Sequence, residues 1–248
     1  MFPELTPEHL AALAFGVLVV AFLYSSVGHA GASGYIAVMS LLGIAPATIK
    51  PVSLTLNILV ASIGTWQFVR AGHFSWRLFW PFALLSIPFA FIGGYINLPT
   101  QALKYLLGAV LLYSAAHFFV RPPPELEPSP PSRPIALMSG AGIGLLSGLS
   151  GTGGGIFLSP LMLFRHWART KQVAATSVLF ILVNSFSGLA GNIGSTKQFP
   201  AFALVLVAAA AIGGTAGSWL GSRRLDPVEI KRFLAVVLMI AGLKFILT

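Results

Sequence analysis

Long apolar runs constrain this chain more than any motif in it. They fall at about residues 10–42, 52–69, 76–96 and 103–120 of the first half, and a helix needs roughly 20 mainly apolar residues to cross a bilayer. Only 8% of the 248 residues are charged, against about a quarter in soluble proteins. A β-barrel would alternate polar and apolar residues instead. The runs therefore predict an all-α polytopic membrane protein, with the lipid bilayer as its first partner. The formal net charge of +9 does not point to nucleic acid, because the basic residues stand singly or in twos between apolar runs and read as topology signals. The chain has no cysteine, which excludes disulfides, thiolate metal sites and cysteine nucleophiles. Ala30-Gly31-Ala32 resembles a signal cleavage site, but no Lys or Arg precedes the first run and its pattern returns later, so it is read as mature structure.

The first run is too long for one span and breaks near residues 28–34, which predicts a hairpin with a short second arm. Thr6 and Pro7 are placed to open its first helix. Residues 121–134 carry seven prolines and two glutamates, the composition of an extended, water-exposed linker. After it the order repeats. Gly28, Gly31 and Gly34 match Gly148, Gly151 and Gly154 at an offset of 120, Lys50, Val52 and Thr55 match Lys171, Val173 and Thr176 at 121, and Gly94, Leu98 and Lys104 match Gly221, Leu225 and Lys231 at 127. Such ordered pairings predict duplication, with a first repeat over 1–120, a cytoplasmic linker over 121–134 and a second repeat over 135–248. The final span is expected to open at Asp226-Pro227-Val228-Glu229.

Charge then sets the expected topology. If each half is a hairpin returning to its starting side, followed by three spans, and the N-terminus lies outside, eleven basic residues face the cytoplasm: Arg70, Arg77, Arg121, Arg133, Arg165, Arg169, Lys171, Arg223, Arg224, Lys231 and Arg232. Lys50, Lys104, Lys197 and Lys244 do not. Four crossings per half would give nine against six at best. The positive-inside rule thus favours an odd number of crossings per half, hence two inverted repeats with both termini outside the cytoplasmic membrane. The charges leave open whether the hairpin arms cross fully.

All six carboxylates, Glu4, Glu8, Glu125, Glu127, Asp226 and Glu229, fall in the N-terminus, the linker or a loop. Cation pumps, proton-coupled carriers and cation channels usually need an acidic group inside the membrane, so this chain is expected to handle something else. Its interior offers glycines and neutral hydrogen-bonding side chains, densest at 148–160, where Gly151, Gly153, Gly154 and Gly155 stand within five residues. Irregular backbone survives in a bilayer only where protein or a polar cavity surrounds it. A helix that begins there leaves its first N–H groups free at the positive end of the macrodipole. Second arms starting near Ser33 and near Gly153 would aim two such ends at an anion near the midplane. The candidate ligands are Gly31, Ser33, Gly34, Gly151, Thr152, Gly153 and Gly154, with Ser26, His29, Asn57, Ser150 and Asn184 around them. The alternative role for the glycines and hydroxyls is close helix packing and internal bonding. His29 at the first tip suits either proton coupling or a neutral hydrogen bond. Lys50 and Lys171 at span entrances suit either anion attraction or snorkelling. The glycine runs 140–144 and 151–155 lack the lysine of a nucleotide loop. No acid, base or metal cluster suggests an enzyme, and no cofactor is implied.

Two halves, each an apolar arm and a Gly-rich turn of the form Gly148-x-Ser150-Gly151-x-Gly153-Gly154-Gly155, followed by Pro160 and Lys171-x-x-Ala174-x-Thr176, resemble the sulfite exporter TauE/SafE family across nearly the whole chain. The first turn departs from the pattern at His29, Ala32 and Tyr35. The resemblance implies transport of a small sulfur-containing anion, inorganic or organic, such as sulfite, thiosulfate or an organosulfonate, across the cytoplasmic membrane. Alternating access at the paired tips is the expected mechanism, with a gated anion channel or a non-transporting scaffold as alternatives. Action as a monomer or as a homodimer is left open.

Overall fold

The computed structural model describes residues 6–44, 46–96, 126–197 and 203–247, and residues 105, 108, 111–113, 115, 116 and 119 of the segment between. The side chains of residues 46, 47, 244 and 245 are not included. Leu98, Lys104, Arg121, Glu4 and Glu125, and most of the expected span at 103–120, lie outside the described residues. Those of 105–119 that are described are helical.

The remaining elements are α1 (Pro7–Ser26), α2 (Ala32–Leu41), α3 (Pro46–Arg70), α4 (Trp76–Tyr95), α5 (Arg133–Ser150), α6 (Gly155–Phe164), α7 (Thr170–Thr196), α8 (Ala203–Arg223) and α9 (Pro227–Leu247). No strand occurs among the described residues. Caps fix several starts. Thr6 accepts from the His9 N–H with Pro7 in the first turn, and the Glu229 carboxylate accepts from the Asp226 N–H at 2.9 Å ahead of α9. Among the described residues, five helices are long and apolar enough to cross a membrane: α1, α3 from Thr48, α4, α7 and α8. By contrast, α2 and α6 have ten residues each, or about 15 Å, half of the roughly 30 Å hydrocarbon layer. Each follows a long helix and precedes two more, so the order long, short, long, long occurs twice.

Backbone contact locks the long helices in pairs across the halves. Gly140, Gly144 and Gly148 of α5 lie on the carbonyls of Phe82, Ser86 and Ala90 of α4, so close that a Cβ has no room. Gly213, Gly217 and Gly221 of α8 lie in the same way on Leu18, Phe22 and Ser26 of α1. Small residues four apart permit this approach. The matched registers make α5 parallel to α4 and α8 parallel to α1. Gly64 and Gly214 of α3 and α8 sit against Val178 and Val60, and Asn57 meets Ser185. Consequently α3 runs parallel to α8 and antiparallel to α7.

The polarity is that of a protein in lipid. Ser25, Ser53, Asn57, Ser147, Thr176, Asn184 and Ser185 are buried, while Phe15, Leu84, Phe186 and Leu204 are exposed. No described carboxylate is buried. Arginines stack on tryptophans at one end of the bundle: Arg70 on Trp66, Arg133 on Trp80 and Arg224 on Trp219. Rings of this kind settle at the membrane–water boundary. At that end the described part of the linker, residues 126–132, is non-helical and largely exposed, tied down by the Ser129 N–H to His166 C=O bond at 2.8 Å.

Candidate functional site

Positive-φ glycines make both hairpin turns. In the first, Gly28 has φ +77° and Gly31, at the cap of α2, has φ +108°. In the second, Gly151 closes α5 at φ +72°, and Gly153 and Gly154, at +77° and +84°, lead into α6. Only glycine takes such angles at little cost. The short helices begin at Ala32 and Gly155, within two residues of the expected Ser33 and Gly153. Neither has a side-chain cap from its own N-cap residue, so the free first-turn amides of both are available to groups from elsewhere.

The two turns are brought together on Asn57 of α3. Its Oδ1 accepts from the Ala32 N–H at 3.0 Å, at the start of α2. Its Nδ2 donates to the Thr152 carbonyl of the second turn and to Ser185 Oγ of α7, both at 3.3 Å. One fully buried amide thus joins both tips and both central helices. A Cβ on Gly153 would stand 2.8 Å from Asn57 Nδ2 and 2.9 Å from Ser185 Oγ, so bare backbone is what this junction accommodates.

A second bridge starts from His29. Its Nε2 meets Ser159 Oγ of α6 at 2.8 Å, and Ser159 donates to Ser177 of α7 at 2.8 Å. With the Ser159 hydroxyl donating onward, Nε2–H of His29 is the donor. The ring also approaches the backbone of Gly155, while Nδ1 keeps no hydrogen-bond partner.

The other candidates have more local roles. Ser33 donates to Tyr24 Oη, which donates to Val237 C=O of α9. Ser26 bonds back to Leu23 C=O. Val20 and Tyr24 fill the space beside Gly34. Ser150 bonds to Leu146 C=O at 2.6 Å and lies 2.8 Å from Thr152 Oγ1. Asn184 donates to Phe180 C=O one turn back, leaving its Oδ1 unpartnered. Lys50 reaches the carbonyl of Gly94 at 3.3 Å, with its stem against Gly151. Ser159, Ser177 and Ser185 are connections that sequence reasoning did not assign to the site. Their signal was weak, single hydroxyls in apolar helices, although Ser177 adjoins Thr176 and Ser185 adjoins Asn184.

Several buried polar atoms on the helices and turns that meet here have no hydrogen-bond partner: Ser25 Oγ, Ser53 Oγ, Ser147 Oγ, Thr176 Oγ1, Asn184 Oδ1 and His29 Nδ1. Each costs about 1–3 kcal/mol if it stays unmet, and native proteins keep few such atoms without a functional reason. The groups that meet here are hydroxyls, amides and helix N-termini, and no carboxylate among the described residues is buried with them.

The sulfite exporter TauE/SafE family matches residues 12–245. The chain belongs to this family. A probable membrane transporter protein of Sinorhizobium fredii, y4hK, is 41% identical over 239 residues, covering 94% of this chain and 97% of that one. A second, YjnA of Bacillus subtilis, is 25% identical over 251 residues, covering 92% and 96%. No solved structure matches. The chain is accordingly a membrane transporter of the TauE/SafE family.

Proposed function

We propose that this transporter carries a small sulfur-containing anion across the cytoplasmic membrane by alternating access, with the anion held between the two hairpin tips. The observation that carries the reading is the Asn57 bridge, a single buried amide bonded to the first amide of α2 and to the carbonyl of Thr152. An anion entering there would take Ser33, Gly34 and Gly155 amides at two helix N-termini and complete the hydroxyls now unpartnered. Burial of the whole junction, with Asn57 at 0% and Thr152 at 3% exposure, favours an occluded carrier state over an open channel. The helix directions support two inverted repeats over 1–120 and 135–248. Through its parallel partners, α1 runs with α8 and α3, whereas α5 runs with α4 and against them. The arginine–tryptophan stacks all involve arginines of the expected cytoplasmic set, which supports termini outside. The sulfur chemistry rests on the family. Counterflow in proteoliposomes tests the reading: labelled sulfite or thiosulfate should exchange against unlabelled anion at carrier rates. Flux without counterflow would instead make it a channel.

A further inference from the structure

An open groove of about 980 Å³ lies on the outer surface between α1, α3 and α8. Its wall is mainly apolar, formed by residues such as Phe22, Ile212 and Ala216 between Trp66 and Trp219, and Arg223 stands at one end. Two observations give it a polar chemistry. Gln67 in its wall is only 3% exposed, donates from Nε2 to Thr215 C=O at 3.1 Å, and leaves Oε1 without a partner. Arg223 is exposed and has no ion-pair partner among the described residues. Beside it Arg70 and Arg224 lie over the rings of Trp66 and Trp219 at 5.2 and 5.4 Å.

The dimensions match one leaflet. From Ile212 to Arg223 along α8 is eleven residues, or about 16 Å, close to half of the roughly 30 Å hydrocarbon layer. Basic and aromatic groups at the groove's end sit where a phosphate would, and the apolar stripe runs where an acyl chain would. A second copy of the chain docking through the same face would bring two sets of these arginines to one end of the interface, against like-charge repulsion.

We propose that this groove binds one anionic phospholipid from the leaflet on the arginine-rich side. Its phosphate pairs with Arg223 and an acyl chain follows α8. None of the candidate anion ligands lines the groove. The test uses the full chain in nanodiscs of phosphatidylcholine with and without phosphatidylglycerol, followed by thermal unfolding and by native mass spectrometry of the protein released from them. Phosphatidylglycerol should raise the unfolding midpoint and remain bound as one molecule per chain. Arg223→Ala should cut its retention about tenfold, the loss of one charge-assisted hydrogen bond, and Gln67→Leu by less. Arg133→Ala, which removes a tryptophan-stacked charge elsewhere at the same end, should leave retention unchanged. Equal stabilisation by both lipids, equal losses in the Arg133 and Arg223 variants, or a lipid-free dimer would overturn the proposal.

Discussion

The two hairpin turns solve one problem in two ways. Each must hold non-helical backbone inside a protein whose surface is made for lipid. The first turn is held by side chains: His29 to Ser159, Tyr35 Oη to Ala30 C=O at 2.6 Å, and Ser33 through Tyr24 to α9. The second is held mainly through its backbone, by the Thr152 carbonyl on Asn57 and by Gly151, Gly153 and Gly154 in left-handed conformations packed against Lys50, Asn57 and Phe180, with Ser150–Thr152 as its own side-chain bond. A turn pinned by large side chains is stiff, because each anchor must break before it moves. A turn packed through glycine can shift while breaking few bonds. The contrast predicts a mobile second tip and a fixed first one.

Substitutions at the two turns test that contrast. The largest effect is expected at Gly153→Val, which adds strain at φ +77° and drives a side chain into Asn57 and Ser185. It should cost about 3 kcal/mol in stability and abolish anion flux, read by thermal unfolding and proteoliposome uptake. Asn57→Leu comes next. It leaves the Ala32 N–H and Thr152 C=O without their partner, so about 2 kcal/mol should be lost, with flux falling by about a hundredfold if both tips must be aligned. His29→Gln, which keeps a donor for Ser159, should lower stability by about 1 kcal/mol and leave flux within about threefold. A larger loss, with a flattened pH profile of uptake, would make His29 a proton carrier rather than an anchor. Ser150→Ala should do least, since its hydroxyl already bonds to its own helix at Leu146, and a change of under about 0.5 kcal/mol is expected.

Much of this contrast was legible in the chain, and the reasons are local. Helix breaks are written in glycine, so both turns were placed to within a few residues. Caps are written in Thr6-Pro7 and Asp226-Pro227-Val228-Glu229, and those starts follow the sequence. Burial of neutral rather than acidic groups followed from where the six carboxylates stand. Tertiary partners were not legible. Asn57 could be named as a candidate, but nothing in its surroundings says that residues 25 and 95 positions away bond to the same amide. Likewise Gly140 and Gly144 fail as a nucleotide loop, and only with Gly148 and the facing Phe82, Ser86 and Ala90 does their four-residue spacing become a helix contact. The offset of 120 ties Gly28 to Gly148, yet the first sits in a turn against Ala174 and the second inside α5 against Ala90. Equivalent letters therefore mark equivalent neighbourhoods rather than identical roles.

In alternating access, one site between the tips opens to each side of the membrane in turn. The chain has no cysteine, so Thr152→Cys supplies a single thiol at the second tip without background. Proteoliposomes with defined protein orientation would be treated with an impermeant thiol reagent from one face at a time, with and without sulfite. Slow labelling from both faces is expected, with protection by sulfite from both. Labelling from one face only, or at a rate indifferent to the anion, would contradict it.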